Sequence, residues 1–558
     1  MSIEKTNDQN GFYFTCYEGD GAVLLAFNLT ENRIDKLAGF AVQCKAPHTP
    51  TYPTDVYWLK NRLNFEKPLV STEEFTSEKW TWSKDAPFQS FHWVHFPNAG
   101  PGNYTYTAHA AYFQDGNGGL KLSDGLALDV DLNYRKFPDF ELGFTRGYIS
   151  SQAYADKFEK RALMPSKKSM DYPTEKYLEQ YVWLGAHARR LLFDLIEESK
   201  RDNSAELDVF AFDFNEPDII RGLCAMGPRV RVFMDDSASH VKPTSLEPKA
   251  KEALEKAGAQ VKTGSFSRYA HNKVIIQKKN GKPVKALSGS ANFSVRGLYV
   301  QANSVVLFDK PEIASYYEAA FEQAFTDCAG FRKSEVASKW HDSKVCDNSP
   351  MSVSFAPHVK AFPLDKVTEA MDDAKSSLMF AMMEMRGGGP ALEFLKNLPD
   401  REDLYSMGTI EKKGQLSMFK PGKDGEPAVT SFAFLKEQAP KPFKKEVCGG
   451  AGQVIHHKFV VRDFNAASPV VFCGSSNFAA GGEKENGDNL IAIEDQSVAV
   501  CYAIEAIRLY DHYRFRSMHE KSGAGNALKL ADNDGWTKRY YDPKNMKFRE
   551  RELLCPIT

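Results

Sequence analysis

Apolar positions along the first 130 residues come in short runs broken by turn residues, the pattern of strands packed on a core. Phe12–Tyr17 and Ala22–Leu29 are two such runs, and Glu18-Gly19-Asp20-Gly21 between them is a hairpin signal. Further β-rich runs lie at Ala38–Gln43, Phe91–Phe96, Tyr104–Phe113 and Leu126–Val130, with Pro97-Asn98-Ala99-Gly100-Pro101-Gly102 as a loop by composition. Strands at these intervals predict an N-terminal all-β sandwich of immunoglobulin-like type over residues 1–135. Its Trp58, Trp93, His92, His95 and His109 read as core and edge residues rather than as a binding surface.

The pattern changes near residue 135. Tyr177–Ser199 has helical periodicity, with Leu178, Val182, Ala188, Leu192 and Leu195 on one apolar stripe and Gly185 on the same stripe, where a neighbour can approach closely. A buried strand at Leu207–Phe214, a helix containing Ile219, Ile220 and Leu223, and a strand at Val230–Met234 follow. Strand, helix, strand is the signature of an α/β layer with parallel pairing. The order returns as a helix at Leu364–Ala374, a strand at Leu378–Met382, a helix at Ala391–Leu398 and a strand at Asp403–Met407. An internal duplication therefore organises residues 175–520. The expected fold class is α/β: two pseudo-symmetric halves with mixed, largely parallel sheets flanked by helices, at 136–345 and 346–558, behind the β-sandwich. The second half includes a C-terminal helix and tail.

Length supports this division, since 558 residues and 62.6 kDa exceed one compact domain. A formal net charge of −2 gives no global field toward nucleic acid or anionic lipid, which leaves a locally basic cleft open. The N-terminus Met1–Asp8 lacks the apolar core of a signal peptide, and no run approaches the roughly 18 apolar residues of a membrane-spanning helix. Nine cysteines without metal-ligand spacing suit a reducing compartment, so a cytoplasmic location is expected, with signal-independent secretion as the alternative.

The chemistry lies in the repeat. The first copy reads His271-Asn272-Lys273-Val274-Ile275-Ile276 and then Gly289-Ser290-Ala291-Asn292-Phe293. The second reads His456-His457-Lys458-Phe459-Val460-Val461 and then Gly474-Ser475-Ser476-Asn477-Phe478. His to Gly is 18 positions and His to Asn is 21 in both copies, a coincidence that chance does not supply. Residues i and i+2 share a strand face, so each His and Lys point together beside a turn rich in hydrogen-bond donors. Two such halves facing each other suit phosphoryl transfer without a metal. One imidazole attacks phosphorus, the other moves protons, and the lysines and asparagines stabilise the nonbridging oxygens.

On these residues the chain resembles the phospholipase D superfamily, whose signature is H-x-K-x-x-x-x-D followed by G-S/G-x-N; the resemblance spans roughly residues 145–520. It implies a phosphodiester substrate, a histidine nucleophile, a histidine acid and no cofactor or metal. The implied site comprises His271, Lys273 and Asn292 with His456, Lys458 and Asn477, and Ser290 and Ser475 as substrate-binding residues. The motif acid is Asp463 in the second copy but Lys278 in the first. Relatives often carry a carboxylate after the G-S-x-N turn that orients the histidine of the opposite half. Asp488 is the candidate after the second turn, while Val300-Gln301-Ala302-Asn303 offers none after the first. This cross-pairing makes His271 the expected nucleophile and His456 the expected acid/base.

His457 is expected to face away by parity, and His187, His240 and His358 to be structural or surface residues. Asp235-Asp236 reads as a solvated strand end rather than a metal site, and Glu384 as a strand-end residue that can face the cleft. Residues 411–446 form an insertion carrying Lys412, Lys413, Lys420, Lys423, Lys441, Lys444 and Lys445, either a basic lip over the site or a solvated loop. With Phe293 and Phe478 following each G-S-x-N, as in the nuclease branch, a nucleic-acid phosphodiester is the favoured substrate. A phospholipase D acting on phosphatidyl head groups is the alternative, and a non-catalytic phosphodiester-binding module the third reading. The sequence leaves oligomeric state and the task of the sandwich open.

Overall fold

Strands Phe12–Glu18 and Val23–Leu29 are buried along their whole length because both faces of their sheet are covered. In the computed structural model, the residues described are 4–49, 55–66, 81–115, 119–147, 154, 157–158, 161–165, 169–385, 387–398, 401, 403–411, 429–431, 454–521 and 529–557. One antiparallel sheet runs in the order Glu4–Gln9, Phe12–Glu18, Val23–Leu29, His92–His95. The facing sheet pairs Leu120–Leu122 and Leu126–Asp131 with Asn103–Phe113, then Leu37–Lys45 and Val56–Trp58. Alternation along the first sheet divides its side chains. Phe14, Val23, Leu25 and Phe27 fill the sandwich, while Tyr17, Leu24 and Ala26 join the core of the two α/β halves. The aromatic and histidine residues of this region are core and edge as expected: Trp93 stacks on Phe88, and His95 bonds Tyr106.

The C-terminal tail packs on the second half, where Tyr405 Oη donates to Glu550 at 2.8 Å and Asn465 Nδ2 to the Leu553 carbonyl at 3.0 Å, and on the sandwich as well. Trp536 and Tyr540 pack around Phe91 in the sandwich core, and Asn28 Nδ2 donates to the Cys555 carbonyl at 2.6 Å. The tail thus bridges the second half and the N-terminal domain.

Each half is built on one mixed sheet. The first has seven strands, ordered Phe140–Phe144, Ser304–Phe308, Lys282–Gly289, Val274–Lys279, Ala205–Ala211, Val230–Asp235, Gln260–Gly264. The second has eight: His341–Val345, Ser349–Phe355, Asn489–Ile493, Val470–Gly474, Lys458–Arg462, Ser377–Met382, Tyr405–Ile410, Val429–Ser431. The strand–helix–strand units are parallel as predicted, across Pro217–Met226 and Pro390–Asn397. The expectation of largely parallel sheets is corrected, because only the last two pairings of each sheet are parallel. The motif strands are joined by tight connections that allow only antiparallel pairing. Asn280 and Gly281, at φ 50° and 73°, form a two-residue turn between Val274–Lys279 and Lys282–Gly289.

The long helix Leu178–Arg201 also differs from its predicted stripe. Ala188, Leu192 and Leu195 are buried, but Leu178 and Val182 are 45% and 52% exposed. Ala186 breaks the helix at φ 44° and ψ −136°, so residues before it are out of phase with those after. Gly185 does meet a neighbour closely, since a Cβ there would lie 3.1 Å from the Tyr299 ring. One core joins the two halves, from Leu207 and Ile275 through Val305 to Val461 and Ile491. The eight cysteines among the described residues are free thiols. Among those residues no helix is long and apolar enough to cross a membrane.

Candidate active site

Both His-x-Lys triplets sit at the mouth of a buried central strand. Val274–Lys279 begins directly after Lys273, and Lys458–Arg462 begins at Lys458. Each strand pairs antiparallel with the parallel core of its half, so its apolar tail is buried and its polar head is held at the sheet's end. His271, Lys273, His456 and Lys458 are all buried. Parity turns the intervening residue away. His457 Nε2 bonds Glu505 at 2.7 Å, and Asn272 Oδ1 accepts from Asn489 Nδ2 at 2.7 Å.

The halves are stitched together at these heads by two equivalent parallel bridges, Tyr269 to Asn486 and Ala302 to Ile455. Gly487 N donates to Tyr269 O at 2.7 Å, and Ala302 N donates to Val454 O at 2.6 Å. Each bridge carries the residue that follows it toward the histidine of the other half. Asp488 Oδ1 thereby lies 2.6 Å from His271 Nδ1, and Asn303 Oδ1 lies 2.9 Å from His456 Nδ1. Asn303 Nδ2 donates to Gly297 O at 2.8 Å, which fixes its oxygen toward the histidine. His456 Nδ1 also faces the Ser290 carbonyl at 3.1 Å. Asp488 faces His271 Nδ1, and the two acceptors at His456 Nδ1 lie closer than the Lys458 Nζ at 3.4 Å, so both Nδ1 atoms carry hydrogen and each Nε2 is left for chemistry.

Ser475 Oγ donates to Asp488 at 2.9 Å, and Ser290 Oγ donates to Asn303 Oδ1 at 2.8 Å. Each also accepts the backbone N–H of the next residue, Asn489 or Ser304. Fully buried and so engaged, they hold the groups that orient the histidines. Gly289 and Gly474 make this possible. At φ 145° and 128°, a Cβ on either would meet the backbone oxygen of Ser304 or Asn489 within 2.5 Å.

Asn292 and Asn477 occupy equivalent turns, and the Oδ1 of each is buried without a partner. Asn292 Nδ2 donates to Asp213 at 2.7 Å. Asp463, by contrast, is at the far end of its strand from Lys458. It accepts the backbone N–H of Lys375, Ser376 and Ser377, anchoring the start of Ser377–Met382. Lys278 stands at this position in the first half and pairs with Asp208 at 2.9 Å. Both positions brace their strands.

Burial and mutual repulsion set the electrostatics. Burial pushes Lys273 down to about 8 against the pull of Asp488, Asp213 and Asp235. Burial and then the Lys273 charge hold Lys458 well below the usual lysine range. His456 is held well below an ordinary histidine by burial, Lys458 and Lys273. His271 is lowered by burial and Lys273, with Asp488 opposing. For Asp488 burial works upward, but the charge and hydrogen bond of His271 outweigh it, so the carboxylate stays ionised. An anion entering this site relieves the crowding of cations.

A second layer of carboxylates escaped the motif reading. Asp235 was expected at a solvated strand end, yet it is buried and accepts Ala270 N at 2.6 Å, immediately before His271. Glu411 does the same work in the second half, accepting Val454 N and Ile455 N at 2.9 and 2.8 Å. His240 is buried between Asp235 and Asp213, at 2.7 and 2.9 Å. The signal was present in the duplication: an acidic residue closes the second strand of the parallel pair in each half, Asp235 after Val230 and Glu411 after Tyr405. His187 and His358 make structural bonds, to Asp20 and to the Ala337 carbonyl. Apart from Glu411 and residues 429–431, the lysine-rich insertion lies outside the described residues.

A family model described as cardiolipin synthase, PLD-like domain, matches residues 192–325. Among solved structures, the chain is similar to Nuc from Salmonella typhimurium, described as a phospholipase D family member. Identity there is 19%, over 24% of this chain and 86% of that one, at a TM-score of 0.21. Polyphosphate kinase from Porphyromonas gingivalis matches at 11% identity over 88% of this chain and 78% of its own, TM-score 0.41. Phosphatidylserine synthase from Haemophilus influenzae matches at 11% identity over 66% and 93%, TM-score 0.37. No curated protein sequence matches the chain.

Proposed function

We propose that this chain, which belongs to the phospholipase D superfamily, is a phosphodiester hydrolase that works through a covalent phosphohistidine on His271. What carries the reading is the 2.6 Å bond from His271 Nδ1 to Asp488, which leaves Nε2 with its lone pair. Nε2 attacks phosphorus and the bond to the leaving alcohol breaks. The bound phosphate anion raises the pKa of His456, so its ring takes a proton at Nε2 and gives it to the departing oxygen. Asp488 balances the positive charge that forms on the His271 ring. Water then attacks the phosphohistidine, passing a proton to His456 and releasing a phosphomonoester and free His271. The ammonium groups of Lys273 and Lys458 and the amides of Asn292 and Asn477 stabilise the nonbridging oxygens, so no metal is required of the mechanism.

A nucleic-acid backbone is the proposed substrate class, supported by Phe293 and Phe478 after the two turns, and a cytoplasmic location goes with it. The test is hydrolysis of bis-(p-nitrophenyl) phosphate in EDTA by the wild type and His271→Ala. Turnover lost in the variant supports the enzyme; inactivity of the wild type on every diester overturns it. Parallel assays on single-stranded DNA, duplex DNA, RNA and phosphatidylcholine vesicles decide the substrate. Cleavage confined to the vesicles would replace nuclease with phospholipase.

A further inference from the structure

The chain continues past the central strand Ala205–Ala211 into Phe212 and Asp213, and both reach the site. The Phe212 ring lies edge-on to His271, with centroids 4.8 Å apart, and 4.7 Å from the Lys273 ammonium. Asp213 is held at both oxygens, by His240 Nε2 at 2.9 Å and by Asn292 Nδ2 at 2.7 Å. Its side chain is 35% exposed, so the carboxylate faces the cleft as well as the protein. Behind it, His240 Nδ1 meets Asp235 at 2.7 Å. Even with a fully charged imidazolium between them, the two carboxylates retain one net negative charge. Asp213 acts electrostatically on His271, Lys273 and Lys458. The second half repeats the placement. Glu384 stands two positions beyond Ser377–Met382, as Asp213 does beyond Ala205–Ala211, and acts on Lys458.

Two lysines and two histidines alone would hold best whatever phosphate carries the most charge. A phosphomonoester or inorganic phosphate dianion would then outcompete a diester monoanion, and the hydrolytic product would block the site. A fixed negative charge beside Lys273 opposes this, because repulsion grows with each charge on the ligand.

We infer that Asp213, with Glu384 as its counterpart, is a specificity-determining residue that makes the site select phosphodiester monoanions over phosphate dianions. The inference deepens the phosphodiesterase reading and rests on it. It also gives product release a physical cause, since the monoester acquires its second charge beside Asp213.

Inorganic phosphate is the probe, at a pH where it is mostly the dianion. Calorimetric titration compares the wild type, Asp213→Asn and Asp213→Glu, and steady-state kinetics gives each KM for bis-(p-nitrophenyl) phosphate. Asp213→Asn is expected to bind phosphate about tenfold more tightly, a modest factor because the carboxylate is partly solvated. Its diester KM should move by less than about threefold. Asp213→Glu, which keeps the charge, should resemble the wild type. Equal phosphate binding by wild type and Asp213→Asn overturns the inference, as does equal tightening toward phosphate and diester. Should Asp213→Asn fail to fold, Glu384→Gln must show tighter phosphate binding in its place, and equal binding there overturns it. A wild type that hydrolyses no diester sinks the enzyme reading, while the phosphate titration still judges the charge of Asp213 by itself.

Discussion

Asn303 stands to His456 as Asp488 stands to His271: its Oδ1 is 2.9 Å from Nδ1, on the same turn of the opposite half, but it carries no charge. Each is 13 residues past its motif serine and accepts that serine's hydroxyl. The two histidines thus share a tautomer and differ in what supports a positive ring. In the proposed mechanism that single difference divides their roles.

Asn303→Asp puts a carboxylate beside His456 and favours its charged form, so its pKa rises. The limb of the kcat/KM profile that reports the acid should move to higher pH. An unmoved profile would show that His456 is not the acid. Asp488→Asn should lower kcat by about 10² or more, by analogy with triads whose acid becomes an amide.

The pH profile of the wild type follows from the burial of its cations. His271 must be neutral to attack, and burial and Lys273 lower its pKa, so activity should persist below the ordinary histidine value of 6.5. Lys273, pushed down to about 8, loses its charge as pH rises through that value, and KM should climb there. A KM flat up to pH 10 would count against Lys273 as the anion-binding group.

Ser290→Ala and Ser475→Ala distinguish positioning from substrate binding. Since both hydroxyls hold the groups behind the histidines, kcat should fall about tenfold with KM little changed. A rise in KM at constant kcat would return the serines to the substrate.

Asp463→Ala removes the acceptor of three backbone N–H groups at the start of Ser377–Met382. Leaving them unpaired should cost about 1–3 kcal/mol in urea unfolding. An unaffected midpoint would mean water replaces the carboxylate.

Much of the site was legible because duplication makes short motifs informative. Identical offsets from His271 and His456 located both turns, and the resemblance to the phospholipase D superfamily pointed to Asp488. The strand order of the parallel units was also readable. Four things were not. Antiparallel pairing dominates because tight connections join the motif strands, which periodicity does not register. The phase of Leu178–Arg201 is lost at Ala186, next to Gly185, a glycine that periodicity alone reads as one more position on a continuous stripe. The Asp213–His240–Asp235 chain joins residues from separate loops, and polar groups at strand ends look solvated until the fold closes over them. The tail's docking on the sandwich likewise depends on contacts over 500 residues apart, such as Asn28 with Cys555.

The most direct measurement is the site of phosphorylation itself. Enzyme mixed with bis-(p-nitrophenyl) phosphate, quenched during turnover and digested under alkaline conditions, should yield a phosphohistidine peptide by mass spectrometry. Phosphate on His271, absent in His271→Ala and accumulating in a variant of His456, is the predicted result. Phosphate on His456, or rapid turnover with neither histidine modified, would contradict the divided roles assigned to the pair.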